Sequence, residues 1–326
     1  MTSPRSQLVE LIEQGAIPVE KIGDALIATN ITPDGKAWRL FIDRLLLWLG
    51  SLALAFAVMF FIAYNWNDIG RFAKFGMVEG CIVLAIVAYC RFADHSTAGK
   101  VALFVATICL GVLLALYGQT YQTGADPWQL FFTWALLMLP WALISRFAAL
   151  WIVWIMLINT SIVLYYQTFR GMFWFMAGSE TGMLWPLFVF NTLLLAAWEF
   201  LTATWPWLSE RWAIRLLATG SGVPLAWLVL HSIFARGEEG GFFFLTGVIW
   251  VSWLAAMYCI YRKIKPDLFM LAGCCLSGIT VVVAFLGKHL LKDHSAGGFL
   301  FLALLVVGMG AGAAFWLKKV HREIQS

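Results

Sequence analysis

An all-α, polytopic transmembrane bundle is the fold class this sequence predicts, and three observations predict it. About ten apolar runs between Leu45 and Lys319 are each long enough to cross a bilayer as a helix, which takes roughly 20 residues. The 326 residues are 62% hydrophobic and only 12% charged, with mean hydropathy +0.83. A soluble domain of this length has too little interior to hide that composition. The loops between the runs are short and hold most of the Lys and Arg, as loops flanking membrane spans do. Helices satisfy their own backbone hydrogen bonds in lipid, so helices and not open sheets are the expected spanning elements.

Residues 1–40 differ from the rest and are expected to form a cytoplasmic amphipathic helical segment ahead of a bundle over 41–320. Ser3-Pro4 opens a short helix with Leu8, Leu11 and Ile12 on one face, and Gly15 stops it. Pro18 starts a second, with Ile22, Ala25 and Leu26 inward, ending near Asn30. Thr32-Pro33-Asp34-Gly35 reads as a turn, after which a third helix runs straight into the first span. Two helices this short cannot bury a core alone, so they must dock on something. The first apolar run is a full-length span after a polar leader, so it is expected to stay attached and not to be cleaved as a signal peptide.

The spans are expected at 45–64, 75–90, 101–118, 129–145, 147–166, 183–203, 212–231, 242–261, 268–287 and 297–317. The second is short and must borrow length from its flanks. The seventh, with Arg215, Gly220, Gly222 and Pro224, is the least regular. Ten crossings put both termini on one side. On that reading 16 of the 22 Lys and Arg share the side of the termini. The other six, Arg71, Lys74, Arg170, Arg236, Lys288 and Lys292, lie opposite. The asymmetry predicts cytoplasmic termini in a bacterial inner membrane. The net charge of +4 is spread between spans and forms no contiguous face, so nucleic acid is not an expected partner.

Among the eighteen tryptophans, Trp66, Trp128, Trp141, Trp185, Trp205 and Trp207 fall near span ends, where an indole prefers the headgroup level. Small-residue pairs, Ala53/Ala57, Cys274/Gly278 and Gly308/Gly312, are spaced to let helices approach closely. The six cysteines, Cys81, Cys90, Cys109, Cys259, Cys274 and Cys275, lie in or at the ends of apolar runs without metal-ligand spacing. They read as buried thiols.

Two polar segments stand out, and the topology puts both outward. Tyr64-Asn65-Trp66-Asn67-Asp68 follows span one, and Gly118 to Trp128 joins spans three and four. The binding candidates are Asn65, Trp66, Asn67, Asp68, Gln119, Tyr121, Gln122, Asp126 and Trp128. Amides, hydroxyls and flanking aromatics suit hydrogen bonding to a polar ligand such as a sugar. The competing reading is helix capping, from Asn67 or Asp68 and from Asp126-Pro127.

Phe61-Ile62-Ala63-Tyr64-Asn65-Trp66, followed by Ile69 and a basic residue pair, resembles a motif of the bacterial membrane-protein family called domain of unknown function 2157. Gly118-Gln119-x-Tyr121 and Asp126-Pro127-Trp128-x-Leu130 before Trp134-Ala135-Leu136 resemble its second motif, and Gly15-Ala16-Ile17 is similar too. The resemblance covers roughly residues 6 to 145. It implies a polytopic inner-membrane protein, sometimes associated with other membrane proteins, and implies no reaction.

Two acids fall within spans, Glu79 in the second and Glu199 near the end of the sixth. A carboxylate at membrane depth is costly and is a functional candidate by default. Asn159 and Asn191 read as interhelical hydrogen-bond partners. His289 and His294 lie about 140° apart around a helix, so they are not a metal pair. A solvated loop suits them, and His231 ends the seventh span. No motif for a cofactor, metal or nucleophile appears. Three classes remain open. The first is a structural or regulatory membrane component with an outward polar site, whose partners are the bilayer and another membrane or periplasmic protein. The second is a transporter or channel for a small polar solute using Glu79. The third is an enzyme on an envelope or lipid-linked substrate.

Overall fold

The computed structural model describes residue 8 and residues 11–12, 14–28, 35–65, 67–92, 96–169, 182–235, 240–290 and 296–325. Among them every regular element is helical. Among the described residues ten helices are long and apolar enough to cross a membrane, matching all ten expected spans. The turn read at Thr32–Asp34 lies outside the described residues.

The leader begins with a helix end. Gly15 sits at φ +69°, a conformation costly for a residue with a Cβ. Its N–H donates to the Ile12 carbonyl and that of Ala16 to the Leu11 carbonyl, both at 3.0 Å. This pair of bonds is a Schellman stop. After Pro18 a 3₁₀ turn, Val19–Lys21, leads into α1, Ile22–Ala28. Next, α2 (Gly35–Tyr64) is one helix of 30 residues, about 45 Å long. The third leader helix and the first span are therefore one rod, as the sequence predicts.

The chain divides into two compact units, residues 1–150 with 325–326, and residues 151–324. In the first, α3 (Arg71–Arg91), α4 (Thr97–Tyr121) and α5 (Pro127–Ser145) follow α2. The core is built on Ala55, Ile62, Val78, Ala85, Val105 and Ala106. The small residues among them, Ala55, Ala85 and Ala106, let α2, α3 and α4 come close. One contact between α4 and α5 is tighter than the rest. A Cβ at Gly111 would lie 2.4 Å from the Trp134 ring, whose indole N–H donates to the Thr107 carbonyl at 2.9 Å. Only a hydrogen at position 111 leaves room for that indole.

Helix α6 (Ala148–Thr168) leads into the second unit, which holds α7 (Leu184–Leu201), α8 (Arg211–Phe234), α9 (Gly240–Cys259), α10 (Leu268–Leu290) and α11 (Ala296–Gln325). The seventh span, α8, is unbroken across Pro224, and 44% of its apolar window is buried, the largest share of any span. Its glycines are approach points and not breaks. A Cβ at Gly220 would meet Asn191 Oδ1 at 3.0 Å, and one at Gly222 would meet the Trp253 ring at 2.8 Å.

A neutral polar layer crosses these helices. Asn159 and Asn191 exchange amide hydrogen bonds of 3.2 and 2.7 Å, the interhelical pair the sequence predicts. Thr192 Oγ1 lies 2.6 Å from Ser221 Oγ, which also accepts from the Trp253 indole at 3.0 Å. In contrast, Gly278, Gly308 and Gly312 face open space within 4 Å of a built Cβ. These expected packing glycines make no close approach among the described residues. Trp205 and Trp207 do not stand singly at a span end: the rings of Trp151, Trp198 and Trp205 lie 6.4, 6.5 and 6.1 Å from that of Trp207.

Candidate functional sites

In the first unit both polar segments begin at the same end of the α3/α4 pair. Phe75, in the second turn of α3, lies with its ring 6.0 Å from that of Tyr121, the last residue of α4. Tyr121 also packs 4.9 Å from Tyr117. The connection 65–70 enters α3 at this end, and the connection 122–126 leaves α4 there. Gln122 ends α4 in the left-handed region at φ 44°, and Gly124 follows at φ +66°. This pair of left-handed residues turns the chain sharply into α5.

The candidate residues divide by what their side chains already do. Asn65 Nδ2 donates to the Phe61 carbonyl at 2.9 Å and so closes the last turn of α2. Half of that amide is committed locally. Asn67, Asp68, Gln119, Tyr121 and Gln122 are exposed, while Asp126 and Trp128 are half-buried. Trp66 lies outside the described residues. Thr120 Oγ1 is buried without a hydrogen-bond partner among the described residues.

Capping explains less of this pattern than the sequence allows. The residue before α3 is Gly70, so neither Asn67 nor Asp68 holds the cap position. Asp126 does precede α5 with Pro127 at its first position, yet its carboxylate makes no cap hydrogen bond. Asp68 is left to the surface and the half-buried Asp126 is not spent on a cap.

Glu79 is exposed on α3, about 12 Å along the helix from its first residue. Gly76, one turn before it, and the adjacent Gly80 have no atom within 4 Å of a built Cβ. Exposed Val83 and Val87 continue the face. The carboxylate is therefore on an outer face of α3, and not turned into the α2/α3/α4 core.

Glu199 has a different setting. Its side chain is only 13% exposed and gathers partners from distant parts of the second unit. Lys265 Nζ donates to Glu199 Oε2 at 2.5 Å, to the Glu199 carbonyl at 2.7 Å and to Thr202 Oγ1 at 2.8 Å. The fully buried Tyr261 donates its hydroxyl to Glu199 Oε1 at 2.9 Å. Arg211 Nη1 stands 3.8 Å from the same oxygen.

A turn of π-helix, Ile260–Ile264, makes this possible. The Lys265 N–H donates to the Ile260 carbonyl at 2.9 Å across five residues. Such wide turns recur at functional positions. Beside it Arg215 grips the buried Asp267 through two bonds of 3.2 Å. Asp267 Oδ1 in turn accepts from the Phe269 N–H at 2.9 Å, at the start of α10. Sequence reasoning counted Arg211, Arg215 and Lys265 as topology signals and missed Tyr261 and Asp267. Their only common signal is that they flank the ends of spans six to nine.

His289 Nδ1 lies 2.8 Å from the Phe285 carbonyl in the last turn of α10. His294 is outside the described residues.

No curated protein and no solved structure matches the chain. Residues 13–151 match the family described as "Predicted membrane protein (DUF2157)". The matched stretch nearly coincides with the first compact unit, residues 1–150, and holds both polar segments. This part of the chain, residues 13–151, is similar to the DUF2157 family of predicted membrane proteins.

Proposed function

We propose that this chain is a structural or regulatory component of the bacterial inner membrane that recognises a polar ligand or partner segment through an outward face of its first unit. The observation that carries the reading is the set of uncommitted polar groups at one end of the α3/α4 pair. Asn67, Asp68, Gln119 and Gln122 are exposed, neither carboxylate is spent on a helix cap, and the Phe75–Tyr121 contact holds the two segments to the same end. Neutral amides outnumber charges there, which favours a hydroxyl-rich ligand or a polar peptide over an ion.

The exposed Glu79 favours the component reading over a solute pathway. A carboxylate at membrane depth on an outer helix face is satisfied by a hydrogen-bonding partner helix. With both termini cytoplasmic, as the basic-residue asymmetry suggests, the polar face looks outward.

Impermeant maleimide applied to intact cells tests the placement. Single variants Asn67→Cys and Gln122→Cys should both be labelled, with the modified peptides identified by mass spectrometry. A short bismaleimide should join the two in the double variant. Labelling only after lysis would reverse the orientation, and a double variant that is labelled but never cross-linked would separate the two segments.

A further inference from the structure

We infer that a membrane glycerophospholipid seats one acyl chain in a groove between α8, α9 and α10, with its phosphate at Lys288. The groove encloses about 300 Å³, the lower end of the range for ligand pockets, about 300–1,000 Å³. Its floor is Val229, Ile233 and Val281, exposed by 2%, 2% and 7%. Val251 and Phe285 form its rims and are open to the surroundings at 57% and 42%.

The gap exists because position 247 lacks a side chain: nothing lies within 4 Å of a Cβ built there. One wall is fixed, since the Trp250 indole donates to Ser277 Oγ at 2.9 Å and cannot swing in to fill the space. These residues belong to helices long and apolar enough to cross a membrane. The surrounding medium there is hydrocarbon, and an unfilled apolar void forfeits dispersion contacts that an acyl chain restores.

The polar end of the groove supplies the rest of the recognition. Lys288 Nζ donates to the carbonyl of Ile233, a floor residue. One donor is used, and a lysine ammonium has three. His289 lies with its ring 4.8 Å from that of Phe285, a rim residue. A cation thus stands where a chain lying in the groove would present its phosphate. A single cation with donors to spare points to the phosphate common to glycerophospholipids as the recognised group.

Native mass spectrometry of detergent-purified full-length protein, titrated with dioleoyl-phosphatidylethanolamine, reads this directly. The expected result is one saturable adduct per chain, with dioleoyl-phosphatidylglycerol equivalent within about threefold. Gly247→Leu puts a side chain into the groove from a position where a Cβ meets nothing within 4 Å, and should weaken the adduct at least tenfold, as should Val251→Trp at the rim. Lys288→Gln should weaken the phospholipid adduct but leave oleyl alcohol, which has the chain without the phosphate, unchanged. Non-saturable multiple adducts, or a Gly247→Leu protein that melts like the parent and binds equally well, would overturn the site. A Lys288→Gln protein that loses oleyl alcohol equally would overturn the phosphate assignment.

Discussion

Replacing Lys265 by Met keeps the length of the stem and removes the ammonium, and this isolates what holds α7 to the chain that follows α9. Three hydrogen bonds go at once, to Glu199 Oε2, the Glu199 carbonyl and Thr202 Oγ1. The Glu199 side chain, 13% exposed, keeps Tyr261 at 2.9 Å and, among the described residues, is left with Arg211 at 3.8 Å as its cation. Removing one partner of a fully buried ion pair costs about 3–5 kcal/mol, because the remaining charge stays desolvated. Lys265 is 32% exposed, so water screens part of the loss and about 2–3 kcal/mol is the expected cost. Glu199→Gln leaves an amide that still accepts from Tyr261, and Lys265 keeps two neutral acceptors. About 1 kcal/mol is expected there. The double variant should recover about 1–2 kcal/mol relative to the sum, the signature of directly coupled groups. Unfolding by SDS titration in mixed micelles measures all four corners of the cycle. A coupling below about 0.5 kcal/mol would refute the charge pair as the organising contact and leave packing around Tyr261 as the cause.

Other outcomes follow from features of both units. Gly111→Leu should displace Trp134 and cost about 3 kcal/mol in the same titration, from overpacking and the lost indole bond to Thr107. Gly308→Leu, in open space, should change stability by less than about 0.5 kcal/mol, and equal effects would disprove the contrast. Asn159→Ala and Asn191→Ala should each cost about 1 kcal/mol, and the double variant little more than either single, since one amide pair is being removed. Alkaline phosphatase fused after Gly124 should be active and a C-terminal fusion inactive, and an active C-terminal fusion would break the proposed topology.

What the sequence made legible follows from how far each signal reaches along the chain. Span positions need only about twenty consecutive residues, and all ten were readable. So were the Gly15 stop and the unbroken run from residue 35 into the first span. The Asn159–Asn191 pair was readable because amides in lipid must find each other. The Glu199 cluster was not, since its partners lie 62 and 66 residues away and its π turn has no periodic signature. Glycine spacing misled, because it favoured Gly308/Gly312 over Gly111. Whether a glycine is an approach point depends on which indole the neighbouring helix places above it. The start of α3 at Gly70, and not at Asn67 or Asp68, escaped for a similar reason: several residues in a polar run qualify as caps, and the preceding turn decides among them.

The π turn at Ile260–Ile264 also sets the angular phase of everything after it. Its closing bond reaches back five residues, from the Lys265 N–H to the Ile260 carbonyl, where an α turn reaches four. Deleting one residue from this turn would leave an ordinary α turn and keep Lys265 close to its present direction. Deleting one residue earlier in α9, where the winding is already α, would rotate Tyr261 and Lys265 by about 100° and carry them away from Glu199. Residues 260–264 thus hold one residue of rotational slack, and a change in residue count is absorbed there and not in the rest of the span from Phe244 to Ile264.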